Sequence, residues 1–382
     1  MYLKRVLLTL VCVAVLFLIY YTLFTESYVS NQLLLSPTQN INPSKYKLFS
    51  NVTTTTTATI STKYTEDYIY VWCIFSKVYK NAPLKGKFHV FLQSLLSHST
   101  TPVYLNVLSD SKSKLIAQSI IKNIVIELGV IHFKYKFYDI NKAASQIRDI
   151  VKAMMPHFSS QPGTYYSDAL FYISLGLHRI APLYQRKAIM VDCDIKFVSD
   201  VQELYDQFLT FPPKALFGLA PELTPVYRHV LYNYRLHNKN STFGDYLLTL
   251  PLAGGNETVT KGFPGYNSGV VLFHLDRIRE MNKDYTKLIS SDNVNYLTTK
   301  YYFKGHLGDQ DFYTLLGFEY PDLIHRLPCV FNRQLCTWWR DHGYSDVFDL
   351  YFKCNGDVKI YHGNCNTPIP KTFYYYTIDD NV

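Results

Sequence analysis

Residues 186–194 read Arg-Lys-Ala-Ile-Met-Val-Asp-Cys-Asp, an apolar run that ends in two aspartates. A short run of apolar and β-branched residues is typical of a strand buried on both faces of a sheet. Asp192 and Asp194 are two residues apart, so their side chains project to the same side of the strand end. Because ligands on α/β sheets gather at the carboxyl ends of strands, this stretch predicts an α/β fold with paired carboxylates at its ligand-binding edge.

The chain on both sides of this stretch alternates between strand and helix patterns. Strands are predicted over residues 68–76, 102–108, 130–138 and 269–275, and helices over residues 88–96, 113–128 and 168–179. Such alternation is typical of a doubly wound sheet. The segment from Pro221 to Gly265 is rich in Tyr, Asn, His and Gly with poor periodicity, and it is predicted to contact an acceptor.

The N-terminus carries a candidate type II membrane anchor. Residues 6–24 are uncharged and would span about 28 Å as a helix, close to the roughly 30 Å hydrocarbon core of a bilayer. Lys4 and Arg5 precede the run and Glu26 follows it, so the positive-inside tendency predicts a cytoplasmic tail over residues 1–5. A cleaved signal peptide is the alternative, but the run lacks a small-residue cleavage site at its end.

The remainder of the chain is predicted to be luminal, in the ER or Golgi. Residues 25–66 are rich in Ser, Thr, Asn and Gln and lack the apolar area that offsets ordering entropy, so they predict a flexible stem. Residues 67–382 can form one elaborated α/β catalytic domain. The net charge is +8, but the basic residues are scattered, and no nucleic-acid partner is expected.

Four of the seven cysteines cluster near the C-terminus, at Cys329, Cys336, Cys354 and Cys365. Zinc binding is the competing interpretation of the cluster. An oxidising lumen and the absence of any CxxC pair favour two disulfides. Four cysteines allow three pairings, and their spacing does not choose among them.

The paired aspartates can hold one hard cation. Mg²⁺ or Mn²⁺ bound by Asp192 and Asp194 would bridge the two phosphates of a nucleoside diphosphate and neutralise the charge that grows as the diphosphate leaves. The alternative is a solvated acidic turn that binds no metal. The buried apolar strand before the aspartates favours the metal site over this alternative. His362 lies where a short strand turns through glycine, and neutral imidazole is an acceptable third ligand for Mn²⁺. An ordinary surface or core histidine is the alternative at that position.

Two further motifs carry polar groups beside flexible backbone. Asn267 and Ser268 stand in a glycine-rich segment before a predicted strand, where they suit hydrogen bonding to a sugar or, equally, a plain turn. Gly308-Asp309-Gln310-Asp311 precedes a helix-like stretch. Asp309 fits there as a helix N-cap as well as a site residue.

In chain order, these motifs resemble the family-8 retaining glycosyltransferases of the GT-A fold, a Rossmann-like nucleotide-sugar transferase fold. The order is Asp192-Cys193-Asp194, Gly265 to Gly269, His306 to Asp311 and His362-Gly363. The amino-acid sequence of residues 332–344 and 360–370 is most similar to that of the xylosyltransferases of that family. The likeness runs from about Tyr68 to Pro370 and includes the layout of anchor and stem.

The resemblance implies a retaining transfer of xylose from UDP-xylose, in α-1,3 linkage, to the xylose of a xylosyl-glucose. That disaccharide is O-linked to EGF-like repeats of Notch-type receptors. Asp192, Asp194 and His362 would ligate Mn²⁺, with Mg²⁺ as the alternative ion. The disulfide pairing implied is Cys329 with Cys354 and Cys336 with Cys365.

The resemblance also implies three sets of substrate residues. The catalytic residues are Gln310 and Asp309, and the acceptor-binding residues are His229, Tyr232 and Trp338. The donor-binding residues are Ile74, Phe75, Ser76, Cys193, Asn267, Ser268, Leu307, Gly308, Gln310 and Asn364. Tyr232 stands where the family has a tryptophan, and Pro368 stands where the wider family has a lysine that contacts the diphosphate.

Three functions remain open at this point. A double displacement would need a carboxylate nucleophile, and no convincing candidate is visible, so same-face attack assisted by Gln310 is preferred for a transferase. A sister transferase with another donor, such as UDP-glucose, is the second function. A sugar-binding protein on a dead transferase scaffold is the third, although such a protein has no use for a metal set.

Overall fold

The structure is a computed structural model that describes residues 68–159, 169–251 and 258–370. The predicted cytoplasmic tail, membrane anchor and stem, residues 1–66, lie outside this part of the chain. Within it, every helix is too short or too polar to cross a bilayer.

The strands of the described residues form three sheets. They are β1 (Ile69–Ile74), β2 (Val103–Ser109), β3 (Phe133–Asp139), β4 (Ala188–Val191), β5 (Ile195–Phe197), β6 (Phe217–Pro221), β7 (Leu248–Pro251), β8 (Thr258–Lys261), β9 (Tyr266–Phe273), β10 (Ile324–Arg326), β11 (Arg333–Gln334) and β12 (Ile360–His362). The central sheet has the order β10-β6-β9-β4-β1-β2-β3, a smaller one the order β11-β12-β5, and β7 pairs with β8.

Helices cover both faces of the central sheet. They are α1 (Pro83–His98), α2 (Ser111–Leu128), α3 (Ile140–Gln146), α4 (Arg148–Phe158), α5 (Leu177–Ile180), α6 (Val201–Tyr205), α7 (Val226–Val230), α8 (Tyr232–His237), α9 (Leu275–Glu280), α10 (Asn282–Leu288), α11 (Ser291–Lys300), α12 (Asp309–Glu319) and α13 (Phe348–Phe352).

The apolar run of β1 reflects burial on both faces. Trp72 packs into one hydrophobic core, whereas Val71 and Cys73 pack into a second core on the opposite face. All three side chains are fully buried. Because successive side chains of a strand alternate between faces, a strand with a core on each side must be apolar at every position.

The central sheet is mixed rather than wholly parallel. β1, β2, β3 and β4 pair in parallel, as the alternating pattern predicts, but β9 runs antiparallel to both β4 and β6. The predicted helix over residues 168–179 is two short 3₁₀ turns followed by α5. Helices α3 and α4 were not predicted, although Ile150, Ala153, Met154 and Phe158 form a buried stripe at helical spacing.

Candidate active site

The turn between β4 and β5 carries both aspartates. The Asp192 backbone N–H donates to the Gly269 carbonyl of β9 at 3.0 Å, and the Asp194 carbonyl accepts the Gly363 N–H at 2.8 Å. β12 runs antiparallel to β5 with His362 opposite Ile195. This register places the imidazole next to the aspartates, although Asp194 and His362 are 168 positions apart in the sequence.

The three predicted metal ligands converge. His362 Nε2 lies 3.6 Å from an Asp192 oxygen and 3.4 Å from an Asp194 oxygen. One ligand atom from each residue lies within 4.8 Å of the others. The Asp192 side chain is 59% exposed and that of His362 only 5%, so the cluster is open to solvent on one side. Two carboxylates and an imidazole suit Mn²⁺ or Mg²⁺, both of which accept oxygen ligands.

Hydrogen bonds fix which imidazole nitrogen faces the aspartates. The Gly269 N–H donates to Asn267 Oδ1 at 3.0 Å, which identifies that atom as oxygen. Asn332 Nδ2 donates to the same oxygen at 2.9 Å, so Asn332 Oδ1 is the atom 3.0 Å from His362 Nδ1. Nδ1 therefore carries a proton, and Nε2 is the nitrogen that can offer its lone pair to a metal ion.

This arrangement predicts that Asn332→Ala weakens metal binding about 10- to 100-fold, the usual cost of removing a group that orients a metal ligand. The imidazole would lose the partner that fixes its tautomer, while Asp192 and Asp194 stay in place. Mn²⁺ titration by calorimetry checks this, with thermal unfolding of the metal-free variant as the control for folding. Unchanged Mn²⁺ affinity would show that Asn332 does not orient His362.

The charges of the cluster act on one another. Burial alone would raise the pKa of Asp194, but hydrogen bonding to His362 and the His362 and Lys87 charges lower it to about 2. Burial likewise opposes protonation of His362, yet the hydrogen bond to Asp194 and the aspartate charges raise its pKa. A metal ion bound at Nε2 requires the neutral imidazole, so metal binding releases a proton from a protonated His362.

Gln310 is held in one orientation at the start of α12. The Ser268 backbone N–H donates to Gln310 Oε1 at 3.2 Å, so the amide NH₂ is on the other side. That group donates to Glu222 Oε2 at 3.2 Å and to the Tyr227 hydroxyl at 3.3 Å. Tyr227 in turn donates to Asp311 at 3.0 Å. Gln310 therefore has both amide protons engaged and keeps one lone pair on Oε1.

The three carboxylates around Gln310 have donors at both oxygens. Asp309 accepts from the Ser268 and Ser174 hydroxyls, Asp311 from Tyr227 and the Leu307 N–H, and Glu222 from Thr224, Asn267 and Gln310. Desolvation raises the pKa of Asp309 to about 7 and that of Asp311 to about 7. Both oxygens of each carboxylate therefore accept hydrogen bonds from other residues of the protein.

The predicted donor-binding residues Ile74, Phe75 and Ser76 lie at the end of β1, the neighbour of β4. The Phe75 ring is buried in the core, 4.5 Å from the Phe88 ring centroid, so a ligand could meet Phe75 only through its backbone. The Ser76 hydroxyl donates to Asp110 at 2.9 Å. Cys193 is buried, and its thiol lies 3.2 Å from the Ile74 carbonyl, away from the metal ligands.

Two other predicted donor residues lie at turns, Gly308 before α12 and Asn364 after β12. Gly308 has φ 69°, and a Cβ there would lie 2.7 Å from Phe171 Cβ, so glycine is required where the chain turns from Leu307 into α12. Asn364 Oδ1 accepts the Leu335 and Cys336 N–H groups, each at 2.9 Å. The side-chain oxygen of Asn364 is therefore used by the fold.

The predicted acceptor residues lie on the surface. His229 Nδ1 is 2.8 Å from the Tyr344 hydroxyl, and Trp338 is 50% exposed and stacks on His342 at 3.6 Å between ring centroids. The structure thus brings His229 near the 338–344 segment. Tyr232 is 64% exposed at the start of α8.

The disulfides join Cys329 to Cys354 and Cys336 to Cys365, the pairing that the resemblance implies. Four site residues were not found from the sequence: Glu222, Tyr227, Asn332 and Lys87. Glu222 directly follows β6, so the strand-end argument used for Asp192 could have found it. Asn332 and Lys87 give no comparable signal, since one is in a 3₁₀ turn and the other in an ordinary helix.

A GT-A-like sheet with an Asp-Asp-His cluster at a strand end defines a glycosyltransferase that uses a nucleotide-sugar donor. The comparisons narrow this class. The chain is 41% identical over 309 residues to xyloside xylosyltransferase 1 of mouse and of human, covering 80% of this chain and 75% of those proteins. The chain belongs to the xyloside xylosyltransferase family, and it is a xylosyltransferase.

Other comparisons agree with this assignment. The apo crystal structure of the mouse protein matches with a TM-score of 0.71 and 40% identity, covering 79% of this chain and all of that chain. The rat xylosyl- and glucuronyltransferase LARGE2 is 26% identical over 275 residues, 72% of this chain and 33% of that protein. No family model matches the chain.

Proposed function

We propose that this enzyme transfers xylose from UDP-xylose, in α-1,3 linkage and with retention, to the xylose of a xylosyl-glucose on EGF-like repeats. Mn²⁺ is the proposed ion and Mg²⁺ the alternative. The main support is that consecutive residues of β9 contact both the metal-binding cluster and Gln310. Gly269 packs on His362, and the preceding Ser268 N–H binds Gln310 at 3.2 Å.

A metal ion held by Asp192, Asp194 and His362 would neutralise the charge of the leaving diphosphate. The protein's own contribution lies at Gln310. Its Oε1 carries a fixed partial negative charge, which suits the positive charge that develops on a sugar as the glycosidic bond breaks. The nearby carboxylates accept hydrogen bonds at both oxygens, which supports same-face attack rather than a carboxylate nucleophile.

Gln310→Ala should reduce turnover about 100-fold while changing UDP affinity less than about threefold, because the amide acts on the developing charge rather than on the nucleotide. Steady-state kinetics and UDP calorimetry separate the two quantities. Gln93→Ala, which removes an exposed contact with Glu127, is the matched control and should change neither. Equal losses of turnover and UDP affinity in Gln310→Ala would contradict a transition-state role.

The proposed donor and acceptor are tested by incubating the luminal part with UDP-xylose, UDP-glucose and UDP-galactose, with Mn²⁺ and a xylosyl-glucose acceptor. Acceptor-dependent UDP release from UDP-xylose is the expected result, and NMR of the product reports linkage and anomeric configuration. Preference for UDP-glucose would favour the sister transferase. Sugar binding without UDP release from any donor would favour the non-catalytic scaffold.

We also propose a luminal location in the ER or Golgi, with residues 6–24 as a type II anchor. Two disulfides in the described residues support an oxidising compartment. Asn240 begins an Asn-x-Thr sequon in the catalytic domain and is exposed, so it can serve as a reporter. Glycosylation at Asn240 that is lost on Asn240→Gln would place this domain in the lumen.

A further inference from the structure

Lys87 reaches from α1 into the metal cluster. Its ammonium group lies 3.1 Å from Asp194 Oδ2 and 2.9 Å from Asn366 Oδ1. The Lys87 side chain is 27% exposed and that of Asp194 is 19% exposed. The ion pair is therefore half-buried at the open side of the site, not a contact between two freely solvated side chains.

The fold fixes both sides of this contact. Phe88 and Phe91 anchor α1 in the core, where Phe88 packs on Phe75 after β1 and Phe91 packs on Phe197 of β5. On the other side, Asn366 has φ 58°, a left-handed conformation uncommon for a residue with a side chain. The adjacent Cys365 is tied to Cys336 by a disulfide, which holds the turn that presents Asn366.

Lys87 contacts the Asp194 oxygen that does not face the histidine. Lys87 Nζ lies 3.1 Å from Asp194 Oδ2, whereas Asp194 Oδ1 lies 3.4 Å from His362 Nε2. Mg²⁺ and Mn²⁺ are typically bound by carboxylates together with substrate phosphates, so a phosphate on an ion held by Asp194 would lie close to that carboxylate. An ammonium 3.1 Å from Asp194 Oδ2 is thus within reach of a phosphate oxygen bound to the same ion as Asp194. Burial raises the pKa of Asp192 and the Lys87 charge acts to lower it, so both metal-binding carboxylates feel this charge.

We propose that Lys87 binds the diphosphate of the donor, bridging Asp194 and a phosphate oxygen. The inference rests on the proposed use of a nucleoside diphosphate sugar. Without nucleotide, the ammonium offsets the charge of the two aspartates. With nucleotide bound, the ammonium would place a second positive charge next to the diphosphate, beside the metal ion. The negative charge of the diphosphate increases as the sugar departs, so this contact becomes stronger during the reaction. Lysine is suited to this as a compact point charge with three donors.

The test compares Lys87→Met with Lys85→Met, because Lys85 is exposed on the same helix two residues away. The measurement is calorimetric affinity for UDP and for UMP at saturating Mn²⁺. We expect Lys87→Met to weaken UDP binding about 10-fold and UMP binding less than about threefold, since the β-phosphate is missing from UMP. Lys85→Met should match the unsubstituted protein for both ligands.

A second readout is Mn²⁺ affinity without nucleotide. Lys87→Met should bind Mn²⁺ at least as tightly as the unsubstituted protein, because a competing cation is removed from Asp194; a general loss of structure would instead weaken Mn²⁺ binding. Lys87→Arg should recover part of the UDP affinity. Equal UDP affinity in the two methionine variants would overturn the proposal for Lys87 alone. Failure of the unsubstituted protein to bind UDP would overturn the donor assignment as well.

Discussion

Asp194→Asn should abolish metal-dependent transfer, with turnover reduced by about 1,000-fold or more. Asp194 lies 3.4 Å from His362 Nε2 and 3.1 Å from the Lys87 ammonium, so it is the central negative charge of the cluster. An amide of the same shape keeps the packing but removes the charge that attracts the ion. Mn²⁺ titration followed by the transfer assay measures both losses.

Asp292→Asn is the matched control for this change. Asp292 is an exposed acid in the first turn of α11, so its replacement should leave Mn²⁺ affinity and turnover unchanged. Thermal unfolding of Asp194→Asn separates loss of the metal from loss of the fold. Full turnover in a folded Asp194→Asn that binds no Mn²⁺ would refute a metal-dependent reaction at this site.

Gly269→Ala should displace His362 from the metal site and reduce metal affinity by about 100-fold. A Cβ on Gly269 would lie 2.2 Å from His362 Cε1 and 2.5 Å from Nδ1, so the ring has to move. The crowding itself should cost about 1–3 kcal/mol of stability, which a domain of this size can tolerate. Mn²⁺ titration and a spectrum of the cobalt-substituted protein would report the displaced ligand.

Gly86→Ala is the control for adding a methyl group. Gly86 lies on α1, next to Lys87, and a Cβ there meets no atom within 4 Å. This substitution should leave metal binding unchanged and stabilise the helix slightly. If Gly269→Ala bound Mn²⁺ as tightly as Gly86→Ala, the close packing of Gly269 on His362 would not position the metal ligand.

The sequence was informative where the signal is local. The apolar run before Asp192 and the spacing of Asp192 and Asp194 suffice to predict a buried strand with two carboxylates at its end. His362 could be proposed from its glycine turn, but its place beside the aspartates depends on the antiparallel pairing of β12 with β5. Such a long-range register is not encoded in any short stretch.

The residues that support the site were harder to predict. Asn332 determines the His362 tautomer through two side-chain hydrogen bonds, and Tyr227 orients Gln310 through its hydroxyl. Asn332 and Tyr227 are both fully buried, and buried polar groups reveal their partners only in three dimensions. A single sequence therefore reveals candidate catalytic and metal-binding side chains more readily than the residues that orient them.

The Cys336–Cys365 disulfide has a consequence for how the enzyme matures. Cys336 follows Leu335, whose N–H donates to the His362 carbonyl at 3.1 Å. Cys365 lies three positions after His362. The bond therefore ties together the two segments on either side of the histidine. The Asp192 N–H donates to the Gly269 carbonyl of the central sheet, whereas His362 lies on a short strand whose following turn is joined to Cys336 by this disulfide. A newly made chain with reduced thiols would therefore hold its ion less firmly, and oxidation and activation would proceed together.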